Sequence, residues 1–346
     1  MISPALPKHV FITGATGLIG SHIARRYLND GYQVSALKRP IAGYGLLADI
    51  ADRIRWYEGD VLDIPSLEAA IQPGTDVIHA AALVSFLGRD TRRMERVNVE
   101  GTANVVNVCL KIGVRKFGYV SAVKALGRPS HRQASDPESR FEPILIDEDQ
   151  KWEESPRNSP YAKTKYWAEL EVWRGVAEGL TTVIINPATT LGVGNWENSS
   201  LQIVRYIAKE KKFYPGGLVN LVDVLDVAEV MVRLMESDIA GRRFILCGGT
   251  IPYQSLFNQL AKAMHKRAPE VRAARWVTGL IWPLEAVRAW FLRTKPLITK
   301  ETARDSNLLY ICDGRRIKKA LGFHYRPLEQ TIQRVGEGFR AGEKRQ

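Results

Sequence analysis

Six short apolar runs punctuate the first half of the chain: HVFIT (9–13), YQVSAL (32–37), IRWYEG (54–59), DVIHAA (76–81), KFGYVS (116–121) and TVIINP (182–187). Each has strand length and each reads as a buried strand. Longer stretches lie between them, such as LIGSHIARRYLND and TRRMERVNVEGTANVVNVCLKIG, whose apolar positions recur at helical spacing. Strands that are apolar almost throughout, alternating with helices, predict a parallel sheet covered on both faces. Right-handed crossovers then make the fold α/β and doubly wound, with ligands at the carboxyl ends of the strands.

After residue 187 the pattern loosens. LQIVRYIAKEK reads as a helix, VNLVDV as a strand, VAEVMVRLMES as a helix and RRFILCG as a strand, and the remainder is mostly helical. One core rarely keeps growing beyond about 250–300 residues, so a chain of 346 residues predicts two domains. The first is a nucleotide-binding domain of 1–187 plus about 218–248. The second is a smaller, mostly helical C-terminal substrate domain of about 188–217 plus 249–340. Residues 128–158 are polar and rich in Pro and Ser, which predicts a long loop on the strand-end side, where a site would lie.

Composition fits a soluble globular chain, with 45% hydrophobic and 25% charged residues. No run of about 18 apolar residues is present to span a bilayer, and the N-terminus does not read as a secretory signal. The cytoplasm is therefore the expected compartment. Cys109, Cys247 and Cys312 lie far apart in apolar contexts with no metal-ligand spacing, so they read as small buried hydrophobes and no metal is expected. The net charge of +12 is concentrated in residues 261–346, where 19 Lys and Arg stand against 8 Asp and Glu. These charges are dispersed among apolar residues without a nucleic-acid motif, so a solvated basic surface is preferred over contact with an anionic membrane, and nucleic acid is not expected.

TGATGLIG (13–20) follows the first strand directly and spaces Gly14, Gly17 and Gly20 three apart. A glycine turn opening a helix lets the backbone approach a pyrophosphate and offers it free N–H groups. Gly14, Thr16, Gly17, Leu18, Ile19 and Gly20 are thus the expected cofactor cradle. The second strand ends in Lys38 and Arg39, where a chain built for NAD usually places an acid. A guanidinium there suits a 2′-phosphate, which favours NADP over NAD.

SPYAKTKYWAEL places Tyr161 and Lys165 four apart, on one face of a helix and about 6 Å apart along its axis. A neighbouring ammonium favours the phenolate, so Lys165 is expected to lower the Tyr161 pKa and to hold a ribose, while Tyr161 exchanges a proton with a substrate oxygen.

With TGATGLIG, GDVLD (59–63), HAAA (79–82), NVEGT (98–102), YAKTK (161–165) and NPATTLG (186–192) together, and CDGRRIKKALGF with Pro327 near the end, nearly the whole chain resembles an extended short-chain dehydrogenase/reductase of the NAD-dependent epimerase/dehydratase superfamily. INPATTLGVGNW brings it closer to the dihydroflavonol-reductase-like and 3β-hydroxysteroid-dehydrogenase-like members than to the sugar epimerases. The resemblance implies a Rossmann domain in which Asp60 and Val61 flank the adenine and Ala80, Ala81 and Ala82 line the cofactor channel. It also implies that Asn98 holds the active-site geometry, that Pro187, with Thr189 beside it, meets the nicotinamide, and that the helices of NVEGT and YAKTK form a homodimer face.

One departure stands out. Aligned through Gly127, GYVSAVKALG puts Ala122 where relatives carry the hydroxyl that binds the substrate carbonyl, with Ser121 one place early. Ser121 is the candidate substitute and takes the fourth catalytic place beside Tyr161, Lys165 and Asn98. Thr189, Thr190 or a water are the alternatives. The expected function is NAD(P)-dependent reduction of a carbonyl, or oxidation of an alcohol, on a small and fairly apolar substrate. A nucleotide-sugar epimerase or dehydratase that retains its cofactor, and a weakly catalytic NADP-binding or sensing protein, are the alternatives. The tryptophan-rich segment 275–293 is expected to pack in the substrate domain.

Overall fold

The computed structural model describes residues 8–128, 143–197, 199–273 and 299–343. In chain order its principal elements begin β1 (His9–Thr13), α1 (Leu18–Asn29), β2 (Gln33–Lys38), β3 (Ile54–Glu58), α2 (Ile64–Ala70) and β4 (Asp76–His79). Then come α3 (Thr91–Glu95), α4 (Gly101–Ile112), β5 (Lys116–Val120), β6 (Ile144–Ile146), α5 (Pro160–Ala177), β7 (Thr182–Pro187) and β8 (Thr189–Leu191). They continue with α6 (Gln202–Ala208), β9 (Phe213–Tyr214), β10 (Leu218–Asp223), α7 (Val224–Glu236), β11 (Arg242–Leu246), β12 (Gly249–Pro252) and α8 (Tyr253–Met264).

Seven strands form one sheet in the order β11-β7-β5-β4-β1-β2-β3, and every pair in it is parallel. The strand order reverses between β1 and β4, which opens a crevice at their carboxyl ends. All six strand-like runs of the first half lie in this sheet. Their side chains alternate faces as the pleat requires. Val10 and Ile12 join a core with Ile23 and Tyr27 of α1 and Met231 of α7, whereas Phe11 points to the other core with Val105 of α4 and Val172 of α5. Each such side chain contributes about 1.5–3 kcal/mol on full burial.

A third core gathers Leu191, Val204, Leu221, Leu256, Leu260, Ile332 and Val335. Its sheet has the order β12-β10-β8. VNLVDV is therefore a strand, as its pattern predicts, but it pairs with β8 and β12 rather than with the main sheet. Only Ala188 separates β7 from β8, so NPATTLG bridges the main sheet and the third core. The mostly helical remainder includes helices Lys300–Asp305, Arg315–Leu321 and Leu328–Glu343. It also contains Tyr310–Cys312, a strand paired in parallel with β6. Three-residue strands are too short for an alternating pattern to reveal.

Residues 143–158, the described end of the polar stretch, are tied down from both sides. Glu148 is buried and its Oε1 accepts from the Ile245 N–H at 2.9 Å, while Arg243 donates to the carbonyls of Glu148 and Gln150. The three cysteines are buried and free. Among the described residues, no helix is long and apolar enough to cross a membrane. The tryptophan-rich segment lies outside the described residues.

Candidate active site

The glycine turn is fixed by neighbours that leave no room for side chains. Gly14 has φ +73, and a Cβ on it would lie 2.5 Å from the Ala81 nitrogen and 2.6 Å from the Ala80 carbonyl carbon. A Cβ on Gly20 would lie 2.2 Å from the Gly14 oxygen. The turn is thus pressed between HAAA and the first helix turn, with its backbone bare toward the crevice, as a pyrophosphate requires. Leu18 packs toward Gly192 and Gly194, which brings NPATTLG against the cradle, with Pro187 buried and Thr189 partly exposed. Ala80 and Ala81 are half-buried and Ala82 is exposed.

Gly20→Ala is expected to destabilise the fold by about 1–3 kcal/mol and to weaken NADPH binding about tenfold or more, because the collision displaces the Gly14 peptide. Chemical denaturation and fluorescence titration measure the two effects, and wild-type values in both would refute this account.

At the end of β2 the two basic residues part company. Lys38 donates to Glu58 Oε1 at 2.8 Å on the neighbouring strand. Arg39 is exposed and forms no ion pair among the described residues. It lines an open cavity of about 520 Å³ together with Asp60, Leu62, Arg92, Arg93, Arg96 and Val97. Asp60 Oδ1 caps its own turn by accepting from the Leu62 N–H at 3.0 Å, and Val61 is buried against α4, where a Cβ on Gly101 would meet it at 2.6 Å. Four guanidiniums, of which Arg96 also pairs with Glu100, against the Asp60 carboxylate make this cavity suited to a phosphate.

α5 begins at a Ser159 cap that accepts from the Ala162 N–H, with Pro160 in its first turn. Tyr161 is half-buried with Phe86 edge-on, ring centroids 6.4 Å apart. Lys165 is 1% exposed. Its Nζ donates to the Tyr119 phenol oxygen at 2.8 Å and to the Val120 carbonyl at 3.0 Å. Burial drives the Lys165 pKa down to about 7, against the smaller opposing pull of Glu169. The Tyr161 pKa moves up, through burial first and the Glu301 carboxylate second. The expected lowering by Lys165 is thus corrected: in this arrangement the ammonium is bonded to Tyr119 and Val120.

Asn98 lies in a widened helical turn, Arg96–Glu100, of the π type often found at functional positions. Its side chain is buried, accepts from the Leu83 N–H at 2.7 Å, and donates to the Leu83 carbonyl at 3.0 Å and to Thr164 Oγ1 at 3.1 Å. It therefore clamps the segment after HAAA to the helix residue beside Lys165.

A model of the NAD dependent epimerase/dehydratase family matches residues 10–247. The chain belongs to this family. Over 339 residues it is 28% identical to a putative dihydroflavonol 4-reductase of Synechocystis sp., covering 95% of this chain and 93% of that protein. Over 255 residues it is 31% identical to cinnamoyl-CoA reductase 1 of Petunia hybrida, covering 70% and 73%. The crystal structure of gox2253 superposes with a TM-score of 0.78 at 26% identity, over 97% of this chain and 98% of that one.

Ser121 is where this family member departs from the sequence expectation. It is buried, and its Oγ donates to Glu169 Oε2 at 2.6 Å. The same carboxylate accepts from Asn186 Nδ2 at 2.8 Å, Arg243 at 3.2 Å and Trp173 Nε1 at 3.4 Å. In this structure the Ser121 proton is committed to this buried acid, one helix turn beyond Lys165. Thr190 is also turned inward, its hydroxyl 3.3 Å from the Ala188 carbonyl.

Sequence reasoning did not single out Tyr119, Glu169, the α3 arginines or Glu301. Two signals were present: Glu169 is four residues after Lys165, and Tyr119 shares a strand face with Ser121. An arginine-rich helix reads as solvated surface, and Glu301 arrives from far along the chain.

Proposed function

We propose that the chain is an NADP-dependent carbonyl reductase, working in reverse as an alcohol dehydrogenase on a small molecule. The observation that supports this reading is that the glycine turn, Arg39 of the arginine-lined cavity and the Lys165 anchor all lie at the carboxyl ends of strands of one parallel sheet. The reductase names of two relatives support it. Arg39 with Arg92, Arg93 and Arg96 would hold the 2′-phosphate, and Gly14, Gly17 and Gly20 the pyrophosphate. NADP(H), when bound, supplies or accepts the hydride.

The chain's own residues do the rest. Tyr161, held protonated by burial and by Glu301, donates its proton to the substrate oxygen in the reducing direction. The Lys165 ammonium, bonded to Tyr119 and Val120, would hold the ribose with its remaining N–H. Asn98 fixes both by locking Leu83 and Thr164. The substrate side is lined by Phe86, over whose ring Lys124 Nζ sits at 5.0 Å. Lys124 bonds Glu301 at 3.0 Å and Asp305 at 2.9 Å, so an apolar substrate body meets one charged edge.

A cofactor-binding protein with little turnover is the second reading, favoured by Ala122 together with the commitment of Ser121 to Glu169. A missing donor to a reacting oxygen typically costs about 10²–10³ in kcat. A carbonyl and nucleotide-sugar screen that follows NADPH absorbance tests both. Stoichiometric NADPH consumption supports the reductase. Catalytic turnover of a nucleotide sugar without net consumption supports an epimerase or dehydratase. Cofactor binding without turnover supports the second reading.

A further inference from the structure

We infer that Tyr119 is a positioning residue for Lys165, anchoring the buried ammonium through its phenol oxygen while leaving the charge uncancelled. The inference rests on the reading above only in giving Lys165 the cofactor ribose as its ligand.

The geometry gives Lys165 two acceptors among the described residues, the Tyr119 oxygen at 2.8 Å and the Val120 carbonyl at 3.0 Å. An ammonium has three N–H groups, so one remains for the crevice. Nζ also lies 4.4 Å from the Tyr119 ring centroid, close enough for the ring face to attract the charge. Tyr119 is itself 1% exposed and held from behind. His79 stacks on its ring, centroids 5.6 Å apart. His79 is in turn fixed between Thr13 Oγ1 at 2.6 Å and Thr102 Oγ1 at 3.0 Å. The Thr102 hydroxyl faces the Tyr119 oxygen and donates to the Asn98 carbonyl at 2.5 Å. That carbonyl can only accept, so this network braces the phenol and gives a proton no onward path.

The charges around Lys165 explain why a phenol suits the place. Burial holds the His79 pKa down to about 3, so the imidazole on β4 is neutral and adds no second cation. Burial first, with Glu169 and Tyr161 behind it, pushes the Tyr119 pKa up, so the phenol on β5 stays neutral too. On α5 the facing groups are Tyr161, also pushed up, and Glu169, which already accepts from four donors. A carboxylate in Tyr119's position would pair off the ammonium; the neutral phenol stabilises it and leaves its remaining N–H for a ligand in the crevice. Removing the hydroxyl leaves one acceptor. The charged form then becomes less stable, and Lys165 loses its proton at lower pH.

The test is fluorescence titration of the full chain with NADPH between about pH 6 and 9, which needs no substrate and so stands apart from the fate of Tyr161. The wild-type dissociation constant is expected to rise as pH passes the Lys165 pKa. In Tyr119→Phe that rise is expected about half a unit or more lower, leaving binding about twofold weaker near neutrality and about threefold weaker at the alkaline end of the range. Tyr27→Phe is the control: it is as deeply buried, its hydroxyl has no partner among the described residues, and it should follow the wild type. In a Lys165→Gln background the Tyr119→Phe effect should vanish. If the phenylalanine variant does not fold, Tyr119→Gln, which keeps an acceptor, replaces it. A break near the wild-type position then supports the anchor, and one well below it overturns it. Superposed wild-type and Tyr119→Phe curves, a uniform loss at every pH, an effect that survives in Lys165→Gln, or a wild-type affinity flat across the range would each overturn it.

Discussion

Tyr161→Phe is expected to lower kcat for carbonyl reduction by about 10²–10⁴-fold while NADPH binding stays within about twofold. The change deletes one oxygen and keeps the ring that meets Phe86 edge-on. The Ser159 cap and the Asn98 clamp on α5 are untouched. Nothing in the cradle or the arginine-lined cavity changes, so any large loss must come from the missing proton. The measurement is kcat and NADPH affinity on the first substrate a screen identifies. Turnover equal to the wild type would sink the acid role. An equal loss in binding and turnover would point to damage beyond the hydroxyl.

The second large effect is expected at Arg39. Arg39→Asp should weaken NADP about 10²-fold, the scale of a lost charge-assisted contact of about 1.5–3 kcal/mol, and leave NAD within about threefold. A carboxylate at the end of β2 repels a 2′-phosphate but accepts from a ribose hydroxyl. Asp60 already lines the same cavity, so the new charge adds to an acid in place. Arg92, Arg93 and Arg96 remain and bound the loss. Replacing those three with alanine should reduce NADP affinity further without touching NAD. Equal weakening of both nucleotides by Arg39→Asp would refute the 2′-phosphate assignment.

What the sequence disclosed follows from the range of the forces involved. Strands buried on both faces announce themselves as apolar runs, so the main sheet is legible from KFGYVS and its counterparts. The cradle is legible because its constraint is local: a side chain on Gly20 would strike the Gly14 carbonyl only six residues before it. The site's other half depends on partners distant in the chain. VNLVDV is visibly a strand, yet its choice of β8 and β12 over the main sheet is decided by the third core, which leaves no mark on the segment itself. Lys38 and Arg39 look equivalent until strand register puts Glu58 opposite Lys38. Ser121 invites a catalytic reading because a hydroxyl ends the strand, but its direction is set by the pleat. Strand alternation puts Tyr119 and Ser121 on the same face, and α5 presents Lys165 and Glu169 to that face.

That last match has a consequence for how such a chain can diversify. Two residues along a strand advance about 6.6 Å and four along a helix about 6 Å, so the Tyr119–Lys165 and Ser121–Glu169 contacts stand like two rungs of one ladder. Strand and helix are indexed to each other by these rungs. The described end of the connection between them, 143–158, is itself tied to β11 through Glu148 and Arg243, and Arg243 reaches the Glu169 carboxylate of the second rung. A one-residue slip within β5 would turn both rungs away at once. The register of β5 against α5 is thereby the constraint that any diversification of the chain has to keep.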